Sequence, residues 1–229
     1  MGDKKQKEAM IKKAKQVLVI GACVLFVVLM ILSGMGSHWL TMFTVIKPGD
    51  SVVVDYTLYD LNGNPVLTSN QQTYTRAVTD GRNILVSKQL SIITGQNLSS
   101  SIYPVSIYTM DSGWTKDYAL FALEYEAINQ ALVGMKTGDQ KRIRIPNLSM
   151  TQEWSATQLG SNGVNFTQVK TGDVLAMGVS DTLDSTGSNS SSIRYSRYGQ
   201  VINKNDEGVI VDFGYPTADI SIVSINVNT

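Results

Sequence analysis

The sequence predicts an α+β protein: a single N-terminal transmembrane helix followed by a strand-rich folded part with one short helix. Three observations predict it. Val17 to Gly36 reads VLVIGACVLFVVLMILSGMG with no charge, and about twenty helical residues rise roughly 30 Å, the thickness of a hydrocarbon core. From Ser51 onward the apolar residues follow a strand-like period of two. Between Leu120 and Met135 the period changes: Phe121, Tyr125, Ile128 and Leu132 recur at intervals of three and four, which stacks them on one helical face.

Charge is zero overall but unevenly placed. Residues 1–16 carry six lysines against Asp3 and Glu8, so this basic arm is +4 and the rest is −4. A folded part of that sign offers no basic face for nucleic acid. The lysines keep the N-terminus cytoplasmic, which sends the C-terminal domain to the extracytoplasmic side of a cell membrane. A cleavable signal peptide also fits a basic start and an apolar run. The length of the run and the lack of a small-x-small cleavage site favour an uncleaved anchor over 17–43, with Trp39 at the interface. Cys23 and His38 are the sole residues of their kinds, so an intrachain disulfide is excluded and a zinc or Cys-His site has almost no material.

In chain order, Val52, Val53, Val54 and Tyr56 form a first strand, and Asn62-Gly63 closes a hairpin because both residues tolerate positive φ. Residues 68–120 are too long for a bare loop and imply extra strands or a short helix. After the helix, Gly138-Asp139 turns into a strand with Arg142 and Arg144 outward and Ile143 and Ile145 inward. Gly-Asp turns recur at 49, 138 and 172, as turn chemistry rather than duplication. Ser185 to Ser192 reads as a mobile turn between strands. The final strand, Ile220 to Val227, slips phase at Val223, as a bulge would. Asp55, Asp60, Glu124 and Glu126 read as hairpin and helix surface. Trp114 and Trp154 would mark binding surfaces where exposed. Four N-x-S/T sequons, at Asn97, Asn147, Asn165 and Asn189, are possible glycosylation sites.

The stretch Ala131 to Pro146 (ALVGMKTGDQKRIRIP) resembles the ALxGMxxGExxxxxIP segment of FKBP-type peptidyl-prolyl isomerases. Pro48 to Thr57 with Asp60 to Pro65 is similar to that family's GDxVxVxYTG strand and following hairpin. Gly208 to Ala218 is similar to the closing segment of its SlyD-like branch. The resemblance implies an FKBP-like antiparallel curved sheet wrapped on a short helix, formed by 44–150 and 206–229, with an insertion at 68–120. It also implies an inserted, mostly-β chaperone-type subdomain at 151–205.

The same resemblance implies prolyl isomerisation, which needs an aromatic-lined dry pocket and no metal or cofactor. The pocket positions it assigns are Tyr56, Val66, Leu67, Ile128, Met150 and Ile222. All but Tyr56 replace aromatic or carboxylate members of the family's pocket. The implied partners are the membrane, through a single span, and polypeptide clients. The alternative is a catalytically inactive accessory subunit capping a membrane protein complex.

Overall fold

A computed structural model describes residues 2–34, 44–146, 150–180 and 194–226. The chain divides into two units, 1–44 and 45–229.

The first unit is helix α1 (Gly2–Gly34). Its large apolar side chains from Val17 to Ile31 are 46% to 73% exposed. Among the described residues no helix is long and apolar enough to cross a membrane. The expected transmembrane helix is corrected accordingly. Trp39 lies outside the described residues.

The second unit is one curled sheet of twelve strands with three short helices. In order these are β1 (Ser51–Tyr59), β2 (Pro65–Thr68), α2 (Gln71–Thr79), β3 (Leu85–Ser87), β4 (Leu90–Ile93), β5 (Ile102–Thr109) and β6 (Gly113–Phe121). Then come α3 (Ala122–Leu132), β7 (Gln140–Arg144), β8 (Thr151–Ser155), α4 (Ala156–Ser161), β9 (Val174–Ser180), β10 (Arg194–Lys204), β11 (Gly208–Asp212) and β12 (Thr217–Asn226). The sheet runs β7-β12-β1-β2-β3-β5-β6-β10-β11-β8, with β4 on β1 and β9 on β10.

The expected antiparallel sheet with a separate inserted subdomain is corrected in two respects. The sheet is mixed, because β2 pairs with β3, and β6 with β10, in parallel. Between β2 and β3 the chain crosses over through α2, the kind of connection parallel neighbours need. The sheet is also continuous. Through β10, which joins β6 on one side and β9 on the other, the strands of 151–205 belong to the same sheet as the rest.

Two apolar cores lie against it. The larger is built by alternation in β1 (Val52, Val54, Tyr56, Leu58) and β12 (Ala218, Ile220, Ile222, Ile225), closed by Tyr125, Ile128 and Leu132 of α3. The β12 alternation survives a change of phase because Val53 pairs with Ser224 and Val54 with Ile222, leaving Val223 as the extra residue of a bulge. The smaller core gathers Leu159, Val169, Leu175, Val201, Val209, Val211 and Phe213. Helix α3 begins two residues later than Leu120, where its apolar spacing starts. Phe121 is its N-cap, and the Phe121 N–H donates to Glu124 Oε2 at 3.0 Å.

Three turns share one design. In Lys47–Asp50, Lys136–Asp139 and Lys170–Asp173 the aspartate carboxylate accepts from the lysine N–H three residues back, at 2.8, 2.8 and 2.7 Å. The glycine between them holds φ of +98°, +85° and +97°, as the third position of a type II turn requires.

Candidate functional site

Four of the six expected pocket residues meet in the larger core. Tyr56, Leu67, Ile128 and Ile222 are each 2% exposed or less. Val66 is partly buried against that core, while Met150 packs against the other one. Tyr56, Leu67, Ile128 and Ile222 are packed in the core, whereas Val66 and Met150 each line a small cavity. Burial pushes the Tyr56 phenol well above its usual pKa. Its hydroxyl and Ser87 Oγ make no hydrogen bond of ordinary geometry, although Ser87 is the polar neighbour that moderates the shift.

The most ordered polar constellation is one the sequence did not announce. Arg197 of β10 is fully buried and pairs with Glu124 of α3, itself 3% exposed. Nη1 donates to Glu124 Oε2 at 2.9 Å and to Ala119 O at 2.9 Å. Nη2 donates to Glu124 Oε1 and, at 2.8 Å, to Phe213 O; Nε reaches the same carbonyl at 3.1 Å. All five guanidinium N–H groups are thereby used.

Aromatic rings enclose the charge: Tyr215 at 4.0 Å, Phe121 at 4.4 Å and Tyr118 at 5.6 Å from the guanidinium carbon. Burial works against the Arg197 charge, but Glu124, Tyr118 and Tyr215 beside it together outweigh that and hold its pKa above the ordinary value. Burial likewise raises the phenols of Tyr118 and Tyr215. With no donor left over, this cluster has nothing to offer a ligand and acts as a tie between α3, β6 and β10. The reading of Glu124 as helix surface is corrected. A sequence signal existed, since Glu124 sits three residues after Phe121 and four before Ile128, inside the apolar stripe. Its partner, 73 residues away, had none.

Besides two small cavities, one at Val66 and one at Met150, two larger openings stand out. One is a groove of about 540 Å³ lined by Trp154, Gln158, Asn162, Val164 and the 176–178 stretch of β9. Among the described residues no charged side chain lines it. The Trp154 indole is half-buried, donates to Gln152 Oε1 at 3.2 Å and leans on Phe213 with ring centres 6.0 Å apart. Strand β9 forms one side and pairs only with β10, so its other edge is unpaired among the described residues.

The second is a cleft of about 600 Å³ between α2 and the outer faces of β1, β12 and β7. Arg142 binds Asp219 through both carboxylate oxygens, at 2.6 and 2.7 Å, and lies over the Tyr59 ring at 4.8 Å. Tyr59 Oη donates to Asp219 Oδ2 at 2.7 Å. The Arg142 hydrogen bond lowers the Asp219 pKa, and burial with the Asp219 bond pushes Tyr59 up to about 12.

Compared with protein-family models and with curated proteins, the chain matches none. Of the four sequons, Asn97 is exposed in the loop after β4. Asn165 is exposed too, and its Oδ1 accepts from the N–H and hydroxyl of Thr167 at 3.1 and 2.8 Å. Asn147, Asn189 and the Ser185–Ser192 turn lie outside the described residues. Among the described residues no three His, Cys, Asp or Glu side chains gather as metal ligands.

Proposed function

We propose that this protein is a membrane-attached folding helper that binds extended segments of other polypeptides and does not isomerise prolyl bonds. The observation that carries the reading is the uncharged groove of Trp154, Val164 and Met177 beside the unpaired edge of β9. A tryptophan and a methionine supply adaptable apolar contact. The Gln158 and Asn162 amides suit the polar backbone of a chain lacking defined side-chain partners. The resemblance to FKBP-type isomerases supports folding assistance as the class of activity. The burial of Tyr56, Leu67, Ile128 and Ile222 argues against catalysis, because a twisted prolyl amide would need room where these side chains pack. The exposed apolar side chains of α1 support attachment to lipid. The six lysines of residues 1–16 support attachment of that arm to the lipid surface of a cell membrane.

The test uses the full chain in bilayer nanodiscs and a fluorescent, unfolded client protein. Trp154→Ala is expected to weaken client binding about tenfold, equivalent to roughly 1.4 kcal/mol. Unchanged affinity would remove the groove from the reading. In a protease-coupled proline-peptide assay the same preparation should leave the rate at that of buffer; acceleration would restore catalysis.

A second reading, an accessory subunit of a membrane complex, is favoured by the charged cleft. There Arg76 and Lys141 have no carboxylate partner among the described residues. Extraction in mild detergent separates the two, with one stoichiometric companion for a subunit and many clients for a helper.

A further inference from the structure

The hairpin β5–β6 ends in a tip that the other described residues of the second unit leave largely exposed. Met110 is 96% exposed, and Tyr108 and Trp114, paired across the strands, are 48% and 47% exposed. Their rings meet edge to face with centres 5.6 Å apart. The ammonium of Lys88 stands 5.4 Å over the indole. Neither the Tyr108 hydroxyl nor the Trp114 indole N–H has a hydrogen-bond partner among the described residues.

At the apex Met110 and Asp111 stand exposed side by side, with the two rings and a lysine behind them. Each ring has an apolar body and a polar edge, and Trp and Tyr concentrate where a bilayer passes from headgroups to acyl chains.

We propose that the Tyr108–Met110–Trp114 tip inserts into the headgroup region of a lipid bilayer and so gives the folded part a contact with the membrane of its own. The proposal rests on the membrane attachment inferred above, because a chain already held at lipid by α1 brings its folded part within reach of that surface. A protein partner for the tip is the competing occupant. Asp111 stands in the tip itself and Asp117 lies beside it on β6, so the fit is to a zwitterionic headgroup layer rather than a strongly anionic one.

The experiment is quenching of tryptophan emission by phosphatidylcholine brominated on its acyl chains, with the full chain in nanodiscs. The Trp114 contribution is taken as wild type minus Trp114→Phe. We expect the brominated lipid to remove about half or more of that contribution, as interfacial rings allow, and Met110→Asp to relieve the quenching. An unquenched Trp114 contribution in a chain that does co-purify with the nanodisc overturns this inference alone and gives the tip to a protein partner. A chain that fails to associate with nanodiscs at all overturns the membrane attachment as well.

Discussion

At the scale of the residue, the Arg197–Glu124 pair has the sharpest energetic consequence. Removing one partner leaves the other charged, buried and ringed by aromatics, which costs about 3–5 kcal/mol. Replacing both with apolar groups of similar volume removes that penalty. Arg197→Met is therefore expected to lower the urea midpoint strongly, and Arg197→Met with Glu124→Leu to recover most of the loss. A double variant no more stable than the single one would mean that the ties from Arg197 to the Ala119 and Phe213 carbonyls matter more than the pairing.

The Tyr59 phenol makes a pH prediction. Its folded-state pKa is raised from 10.0 to about 12, so the folded chain keeps a proton that the unfolded chain gives up earlier. The stability this supplies is complete below pH 10 and disappears as pH rises to about 12. Tyr59→Phe should flatten the fall in denaturation midpoint across that window, as followed by circular dichroism.

At the scale of the element, glycine placement governs how closely strands approach. A Cβ on Gly199 of β10 would meet the Phe213 ring at 2.5 and 2.6 Å and a Val211 methyl at 2.7 Å. Neither neighbour has room to retreat, since both are buried in the smaller core. Gly199→Ala should cost about 1–3 kcal/mol, the range of overpacking, seen as an earlier thermal transition.

Much at this scale was legible beforehand. The β1 alternation, the α3 stripe, the Val223 slip and the three Gly-Asp turns each rest on residues close in sequence, where spacing encodes geometry directly. Strand direction and partnership were not legible. Nothing in the sequence of β10 says that it lies parallel to β6, or that Arg197 looks across at Glu124, because both depend on segments brought together from far apart. The close packing at the expected pocket positions was illegible for a related reason. Tyr56, Ile128 and Ile222 have the same apolar character whether they ring a cavity or fill one, and only three-dimensional packing distinguishes the two.

At the scale of the whole molecule, the two units make separable contributions. Residues 45–229 contain both apolar cores and every sheet contact. A chain starting at residue 45 is expected to keep the thermal transition of the full chain while losing its association with vesicles in a flotation assay. Loss of the transition would mean that α1 contributes to the stability of the sheet. Among the described residues four strands pair on one side only, β4, β7, β8 and β9. Of these β7 carries Lys141, Arg142 and Arg144, charges that discourage another chain from pairing there, while β9 carries none along its described length.

The pairing of β1 with β12 bears on the timing of synthesis. Residues 51–59 leave the ribosome early, yet the neighbour that flanks them along their whole length is residues 217–226. Until that late segment arrives, β1 presents one side of its backbone and half of its apolar face to whatever surrounds the growing chain. Closure of the larger core must therefore wait for the synthesis of residues 217–226. A nascent chain held in that state exposes the kind of apolar surface that chaperones cover.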